Sequence, residues 1–380
     1  MRFETLAIHA GQAPEEKTGA IVVPIYQTAT YAQPAIGAHK GYEYSRTHNP
    51  TRTALEECLA ALEGGRHALA FSSGMAAEST LMALFKSGDH VVCGDDVYGG
   101  TYRVFEKIFR LWGFDFTFVD TTDLAAVQKA IKPNTKMLWL ETPTNPLLKV
   151  VDLRASVSLA KRHNILVAVD NTFASPYFQR PLEFGADIVV HSTTKFLGGH
   201  SDTVGGAVIL SDDAMYDRLF FARNAMGPIP GPFDSWITLR GLKTLGVRMR
   251  QHEQNAAAIA QHLTTHPRVR KVLYPGLTDN QYHGLAKKQM SGFGSLISFY
   301  LDGGEQESRK VCASTRIFAL AESLGGVESL IEHPALMTHA SIPRELREPR
   351  GLGDDLIRLS VGIEHVDDLI ADIDSALASY

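Results

Sequence analysis

Short apolar runs alternate with amphipathic segments through the first two thirds of the chain. Strand-length runs such as HALAF, HVVCG, KMLWLE, ILVAVD and GGAVIL are separated by segments with helical spacing, for example TYRVFEKIFRLWG and LRASVSLAKRH. This alternation predicts βαβ units and a mainly parallel sheet with helices on both faces. We therefore expect an α/β fold for this part of the chain.

The regions on either side of this pattern differ from it. Residues 1–48 are rich in turn formers and lack a regular period, so they are expected to form an extended arm. A helix is expected from residue 51, where Leu55, Leu59 and Leu62 recur at helical spacing before a Gly-Gly stop. After residue 238 a long polar–apolar helix precedes strands with longer loops. We predict an arm over 1–48, a large domain over 49–238 and a smaller α+β domain over 239–380.

Composition narrows the class of protein. Lys and Arg total 37 against 42 Asp and Glu, and the signs are well mixed, so no nucleic-acid or membrane partner is expected. The longest apolar runs are strand-length, and the first residues lack the apolar core of a signal peptide. Three scattered cysteines fit a reducing compartment. A cytoplasmic protein is the expectation.

A carboxylate and an amine follow two neighbouring apolar runs. Asp170 ends ILVAVD, and Lys195 comes shortly after ADIVVH. Ligands of parallel sheets bind at the carboxyl ends of strands. A pyridoxal phosphate enzyme needs these two groups, because the amine forms a Schiff base with the cofactor and the carboxylate keeps the pyridine nitrogen protonated. Each residue alone is more often an exposed side chain, but the apolar, glycine-rich setting of Lys195 favours a site.

Other residues fit the phosphate of such a cofactor. Gly74 and Met75 follow a strand and open a helix, where backbone amides and the helix dipole favour a dianion. Ser192 and Thr194 add hydroxyl groups beside Lys195.

Three further polar residues are candidates for the site, and two of them have an alternative structural interpretation. Tyr98, followed by two glycines, suits stacking on a cofactor ring, and its phenol suits proton transfer if its pKa is lowered; it is also suited to a turn. Arg358 lies in an apolar strand and suits either a substrate carboxylate or an internal salt bridge. Asn145 lies between two prolines on a rigid loop.

Twelve ordered segments resemble the family of pyridoxal-phosphate-dependent enzymes of cysteine and methionine metabolism, the trans-sulfuration enzymes. They include YEYSRTHNPTR, FSSGMAAES, DDVYGGTYR, ETPTNP, VDNTFASP, HSTTKFLGGHSD, AESLGGVESL and LIRLSVGIE, and they cover nearly the whole chain. The resemblance implies an aspartate-aminotransferase-like fold (fold type I), with a mainly parallel sheet in the large domain and a smaller α+β C-terminal domain. It also implies the cofactor pyridoxal 5'-phosphate (PLP) and a small amino-acid substrate.

The resemblance further implies residue roles. The catalytic residues are Lys195, Asp170 and Tyr98, and these also bind the cofactor. The phosphate cradle comprises Gly74, Met75, Ser192 and Thr194. Tyr44 and Arg46, in the arm, reach the phosphate of a neighbouring subunit, so a homotetramer built from catalytic dimers is expected. Substrate binding falls to Arg358, Asn145 and Ser323 for the α-carboxylate, and to Glu322 and Arg103 for the distal charges.

Two positions favour one activity within the family. Methionine γ-lyases carry a cysteine where this chain has Gly100. One branch of cystathionine β-lyases has an aromatic pair in place of Glu322 and Ser323, which favours γ-carbon chemistry here. Overall similarity favours a cystathionine γ-lyase activity, and a cystathionine γ-synthase activity, which joins cysteine to an O-acylhomoserine, is the alternative.

Two hypotheses from other classes are weaker. A metal-dependent enzyme would use His191, His200 and Asp202, whose spacing matches no standard ligand pattern, so no metal is expected. A noncatalytic homologue is disfavoured by the complete set of residues.

Overall fold

The computed structural model describes residues 1–379, in which helices and strands alternate along the chain. The strands are β1 (His67–Phe71), β2 (His90–Gly94), β3 (Asp115–Val119), β4 (Thr135–Glu141), β5 (Leu166–Asp170), β6 (Ile188–Ser192), β7 (Gly206–Leu210), β8 (Val269–Leu273), β9 (Leu296–Leu301), β10 (Ala319–Leu320), β11 (Leu330–Glu332) and β12 (Leu356–Ser360). The α-helices are α1 (Phe3–His9), α2 (Pro50–Glu63), α3 (Gly74–Leu81), α4 (Gly99–Lys107), α5 (Leu124–Ala130), α6 (Leu153–Arg162), α7 (Ser175–Phe178), α8 (Asp213–Met226), α9 (Pro232–Leu242), α10 (Leu245–Leu263), α11 (His283–Gln289), α12 (Glu305–Ser314), α13 (Arg344–Arg347) and α14 (Val366–Leu377).

The first seven strands form one sheet, in the order β1-β7-β6-β5-β4-β2-β3. All of them run in one direction except β7, which is antiparallel to both neighbours. Every residue of β2 and β7 is buried, as expected of strands covered on both faces. The prediction of a mainly parallel sheet is confirmed.

The last five strands form a second sheet, in the order β10-β11-β12-β9-β8. Its pairings are antiparallel except that between β10 and β11. Apolar residues of β9 and β12 pack with α10 and α14 in a separate core that includes Ile357 and Leu359. The smaller α+β part of the fold is therefore present, and the predicted domain boundary at 238/239, which falls within α9, stays a prediction.

The long helix predicted from residue 239 is two helices, α9 and α10. The break lies at Lys243 and Thr244, where the Thr244 amide donates to the Gly241 carbonyl. That carbonyl also accepts from the Arg248 guanidinium at 2.9 Å. Because a side chain takes the carbonyl that the next helical turn would use, the helix ends and a new one begins.

The expected extended arm begins as a helix. In α1, Ala7 is 1% exposed and belongs to the same core as α2 and α10, with Phe3 and Leu6 packed against it. The prediction is wrong for these first residues, because their apolar side chains lie on one helical face that α2 and α10 cover. Residues 10–49 contain no helix or strand, only an isolated bridge between Thr30 and Tyr44.

Within residues 1–379, none of the helices has the length and apolar character required to cross a membrane.

The end of α2 gives a stability prediction. Gly64 has φ 74, and a Cβ added there would meet no atom within 4 Å, so only the backbone conformation opposes a side chain. We expect Gly64→Ala to lower the free energy of unfolding by about 1 kcal/mol, measured by denaturant titration with circular dichroism. Gly284→Ala, at an equally open helical position without positive φ, is the matched control and should not destabilise. Equal stability of Gly64→Ala and the unchanged protein would contradict the reasoning.

Candidate active site

A cavity of about 290 Å³ lies where the carboxyl ends of β4, β5 and β6 meet the N-terminus of α3. Most of the residues selected from the sequence line it. They are Gly74, Met75, Tyr98, Asn145, Asp170, Ser192, Thr194, Lys195, Glu322, Ser323 and Arg358. The large sheet supplies the residues up to Lys195, and the smaller sheet and its loops supply the others.

Lys195 is half-buried, and its Nζ donates a hydrogen bond to Ser323 Oγ at 2.6 Å. Burial and, to a smaller extent, the charge of Arg358 lower the pKa of this amine to about 8, while Glu332 and Glu322 act in the opposite direction. An amine that loses its proton near neutral pH can act as a nucleophile or a base.

Asp170, at the end of β5, is 8% exposed, and its Oδ1 accepts a hydrogen bond from the Thr172 amide at 2.9 Å. Burial raises the pKa of this carboxyl, and the bonds from Thr172 and the charge of His191 partly offset that rise. A cationic partner in the cavity would therefore stabilise the ionised carboxylate.

Two further buried carboxyl groups line the cavity, and the sequence analysis assigned neither a role. Glu141 is the register partner of Asp170 on the neighbouring strand β4, and Glu78 lies one turn after Gly74 on α3. Burial and the charge of Asp170 raise both pKa values well above the usual range. Glu141 ends an apolar run as Asp170 does, and helical spacing from Gly74 was the available signal for Glu78.

The N-terminus of α3 faces the cavity. Gly74 and Met75 are its first two residues, whose amides have no partner within the helix. Ser73 caps the helix, since its Oγ accepts from the Ala76 amide at 3.0 Å. A Cβ on Gly74 would lie only 3.0 Å from Ser192 Cβ, so the glycine keeps the backbone close to the Ser192 side chain.

Thr194 has a structural partner as well as a place in the cavity. Its hydroxyl accepts from the Gly205 amide at 3.0 Å and lies 3.2 Å from the Gly205 carbonyl. The loop between α8 and α9 contains Pro228, whose carbonyl accepts a hydrogen bond from the amide of Ser72.

Tyr98 precedes α4, and its amide donates to Glu141 Oε2 at 2.9 Å. A Cβ on Gly100 would lie 2.3 Å from Tyr98 Cε1, so the glycine at this position gives room for the ring. Burial raises the pKa of Tyr98, with Arg103 acting in the opposite direction. The lowered pKa that a role as proton acceptor requires is therefore not found, and the phenol stays protonated at neutral pH.

Arg358, on β12, lines the cavity. Its Nη1 donates to Asn145 Oδ1 at 2.8 Å and lies 3.0 Å from Glu332 Oε1, and its Nη2 donates to the Ser323 carbonyl at 2.8 Å. Its Nε is buried without a hydrogen-bond partner. Arg358 forms the internal salt bridge and also lines the cavity, and its binding of a substrate carboxylate stays a prediction. Glu332 was missed because it meets Arg358 through the register of β11 and β12.

Ser323 adopts φ 95, a conformation that costs a non-glycine residue about 1–3 kcal/mol. Glu322, beside it, is exposed and lines the cavity. Arg103 is exposed on α4 and lies outside the cavity lining, although its charge and that of Glu322 both act on Tyr98.

Tyr44 and Arg46 are exposed and lie outside the cavity of their own chain. The Arg46 guanidinium is 5.5 Å from the centre of the Tyr44 ring. Their role in a neighbouring subunit stays a prediction.

Two of the three residues of the metal hypothesis, His191 and His200, have other partners. His191 Nε2 lies 2.5 Å from Glu63 Oε1 in the core, and His200 Nδ1 lies 2.8 Å from the Gly198 carbonyl. Among residues 1–379, no group of three or more His, Cys, Asp and Glu side chains is arranged to hold a metal ion.

Comparison with known proteins places the chain in a family. The chain belongs to the Cys/Met metabolism PLP-dependent enzymes, whose family model matches residues 4–378. It is 55% identical to the cystathionine gamma-lyase of Bacillus subtilis, over 99% of both chains. It is 54% identical to the cystathionine beta-lyase of Coxiella burnetii, over 99% of this chain and 97% of the relative. The crystal structure of cystathionine gamma synthase from Xanthomonas oryzae pv. oryzae matches with a TM-score of 0.97 and 44% identity, over 100% of this chain and 98% of that chain.

These similarities confirm the aspartate-aminotransferase-like fold and PLP as the cofactor. The relatives carry the names of three activities, so membership of the family leaves the reaction to be argued from the site. The β-lyase relative also shows that overall similarity does not by itself separate β-carbon from γ-carbon chemistry.

The environment of Lys195 gives a pH prediction for the cofactor-free protein. A lysine reacts with a small acylating reagent only as the neutral amine, so labelling of Lys195 should rise with pH around a midpoint of about 8. Peptide mass spectrometry measures this rise, with exposed Lys107 as internal reference. A midpoint for Lys195 near the value of about 10.4 of an ordinary lysine would contradict the effect of burial.

Proposed function

We propose that this protein is a PLP-dependent cystathionine γ-lyase, which converts L-cystathionine and water to L-cysteine, 2-oxobutanoate and ammonia. The observation that carries the proposal is the pair of contacts at Ser323. Its hydroxyl holds the Lys195 amine and its carbonyl holds the Arg358 guanidinium. A carboxylate bound at Arg358 would therefore have its own Cα close to the Lys195 amine, where a Cα proton must move.

The residues of the cavity fit the cofactor. The free amides of Gly74 and Met75, with the hydroxyls of Ser192 and Thr194, suit its phosphate. Asp170 would pair with the protonated ring nitrogen of PLP, and the Tyr98 ring would stack on the face of the pyridine ring. When bound, PLP supplies an electron sink for the charge that develops beside the substrate amino group.

The protein's own side chains bind and orient the substrate and move protons to and from it. Arg358 and Asn145 hold the α-carboxylate, so that the substrate cannot rotate away from Lys195. Lys195, as a neutral amine, accepts the Cα proton and returns it as an ammonium group. Tyr98, whose pKa is raised by burial, is suited to donating a proton to the leaving sulfur rather than accepting one.

The far end of cystathionine carries a second amino group and a second carboxylate. Glu322, exposed at the cavity, suits the amino group, and Arg103 on α4 suits the carboxylate. Charges of opposite sign at these two places would select a substrate with both groups over a shorter amino acid.

Two other reactions of the family are the alternatives. The Xanthomonas synthase, solved with aminoacrylate and cysteine, has a TM-score of 0.97 against this chain, which supports cysteine addition to an O-acylhomoserine as the runner-up. The Coxiella β-lyase supports testing β-elimination as well. The Bacillus relative bears the γ-lyase name, but similarity alone does not rank the activities, and the γ-lyase is placed first on Glu322, whose position at the cavity suits the distal amino group of cystathionine as substrate.

The assembly and location form part of the same proposal. Tyr44 and Arg46 lie outside their own cavity, which supports a homotetramer built from dimers that share these residues. Three buried, unpaired cysteines support the cytoplasm.

The decisive experiment compares three reactions of one holoenzyme preparation. We expect cysteine and 2-oxobutanoate release from cystathionine to be the fastest. Faster formation of cystathionine from an O-acylhomoserine and cysteine would assign the synthase, and faster pyruvate release would assign the β-lyase.

Glu322→Gln should raise KM for cystathionine, because the distal amino group loses its anion, and should affect a substrate without that group less. Equal effects on both substrates would remove Glu322 from the distal site.

A further inference from the structure

Glu78 is a buried acid that the proposed reaction does not use. It lies on α3 one turn after Gly74, so the helix that begins at the phosphate cradle also carries a carboxyl group to the cavity wall. Only 3% of the residue is exposed.

The two oxygens of this carboxyl group have different surroundings. Glu78 Oε2 is fully buried, and Thr101 on α4, the helix that contacts α3, is the hydroxyl group close enough to act on this carboxyl group. Buried polar atoms in folded proteins are nearly always paired. Because Oε2 is fully buried, the other oxygen, Oε1, is the one that faces the cavity, where bound material can complete its hydrogen bond.

Glu78 shares the cavity with two other acids. Asp170 and Glu141 are register partners on β5 and β4, and all three line the same space. Tyr98 and Cys93 are the other ionisable groups whose pKa Glu78 influences. Several carboxylates buried in one cavity repel each other, so most of these carboxyl groups stay protonated and neutral. Burial and the charge of Asp170 raise the pKa of Glu78 well above its usual range, and Thr101 offsets only part of this.

We propose that Glu78 is a positioning residue of the cofactor site: a neutral carboxylic acid whose hydroxyl donates a hydrogen bond into the cavity, which leaves Asp170 as the ionised acid beside the cofactor. The inference rests on the proposed placement of PLP against Asp170. It does not depend on whether the reaction is γ-elimination, γ-replacement or β-elimination.

Infrared spectroscopy of the holoenzyme tests the protonation state directly. At neutral pH, Glu78→Gln should remove a carbonyl band of a protonated carboxylic acid from the spectrum. Glu57→Gln, at an exposed glutamate of α2, should instead remove carboxylate bands. Loss of carboxylate bands in Glu78→Gln would overturn the proposal, even if the enzyme proved to be a γ-lyase.

Cofactor affinity tests the donor role. PLP should bind Glu78→Gln about as tightly as the unchanged protein, because the amide still donates a hydrogen bond. It should bind Glu78→Met about three- to tenfold more weakly, since that side chain has similar length and no donor. Unchanged affinity in Glu78→Met, or equal weakening in both variants, would overturn the donor role. If Glu78→Met does not fold, the infrared comparison with Glu78→Gln still decides the protonation state.

Discussion

Ser323 is the residue of the cavity that contacts side chains from both sheets. Ser323 lies between β10 and β11 of the smaller sheet, yet its hydroxyl accepts from Lys195, which follows β6 of the larger one. Its carbonyl accepts from Arg358 on β12. The segment is held against the large sheet, since a Cβ on Gly325 would lie 2.6 Å from the Phe196 amide nitrogen. Residues that follow strands of the large sheet and residues of the smaller sheet therefore meet in one cavity, through this contact and the bond between Arg358 and Asn145.

The cavity is lined by several ionisable groups that are buried from solvent. Each buried ion is stabilised by a partner or else shifts toward its neutral form. Arg358 is paired with Glu332, both 1% exposed. Lys195 instead has its pKa lowered to about 8. Burial raises the pKa values of Glu141 at the end of β4, of Asp170 at the end of β5, and of Glu78. A cationic ring nitrogen beside Asp170 would add a positively charged partner to the hydrogen bond that its carboxylate accepts from Thr172.

The sequence predicted those site residues whose position depends only on where a single strand or helix begins or ends. Asp170 and Lys195 were found because an apolar run marks where a strand ends, and the ends of parallel strands meet. Glu332 was not found, because its pairing with Arg358 arises from the register of two strands that the sequence does not show. The break between α9 and α10 was missed for a similar reason, since Arg248 takes the Gly241 carbonyl only in the folded chain.

The most direct test of the central claim is borohydride reduction of the PLP-bound protein, followed by peptide mapping. If Lys195 is the amine that binds the cofactor, reduction should attach PLP covalently to the peptide that contains Lys195, and Lys195→Ala should carry no attached cofactor. Attachment to another lysine, or unchanged attachment in Lys195→Ala, would contradict the account.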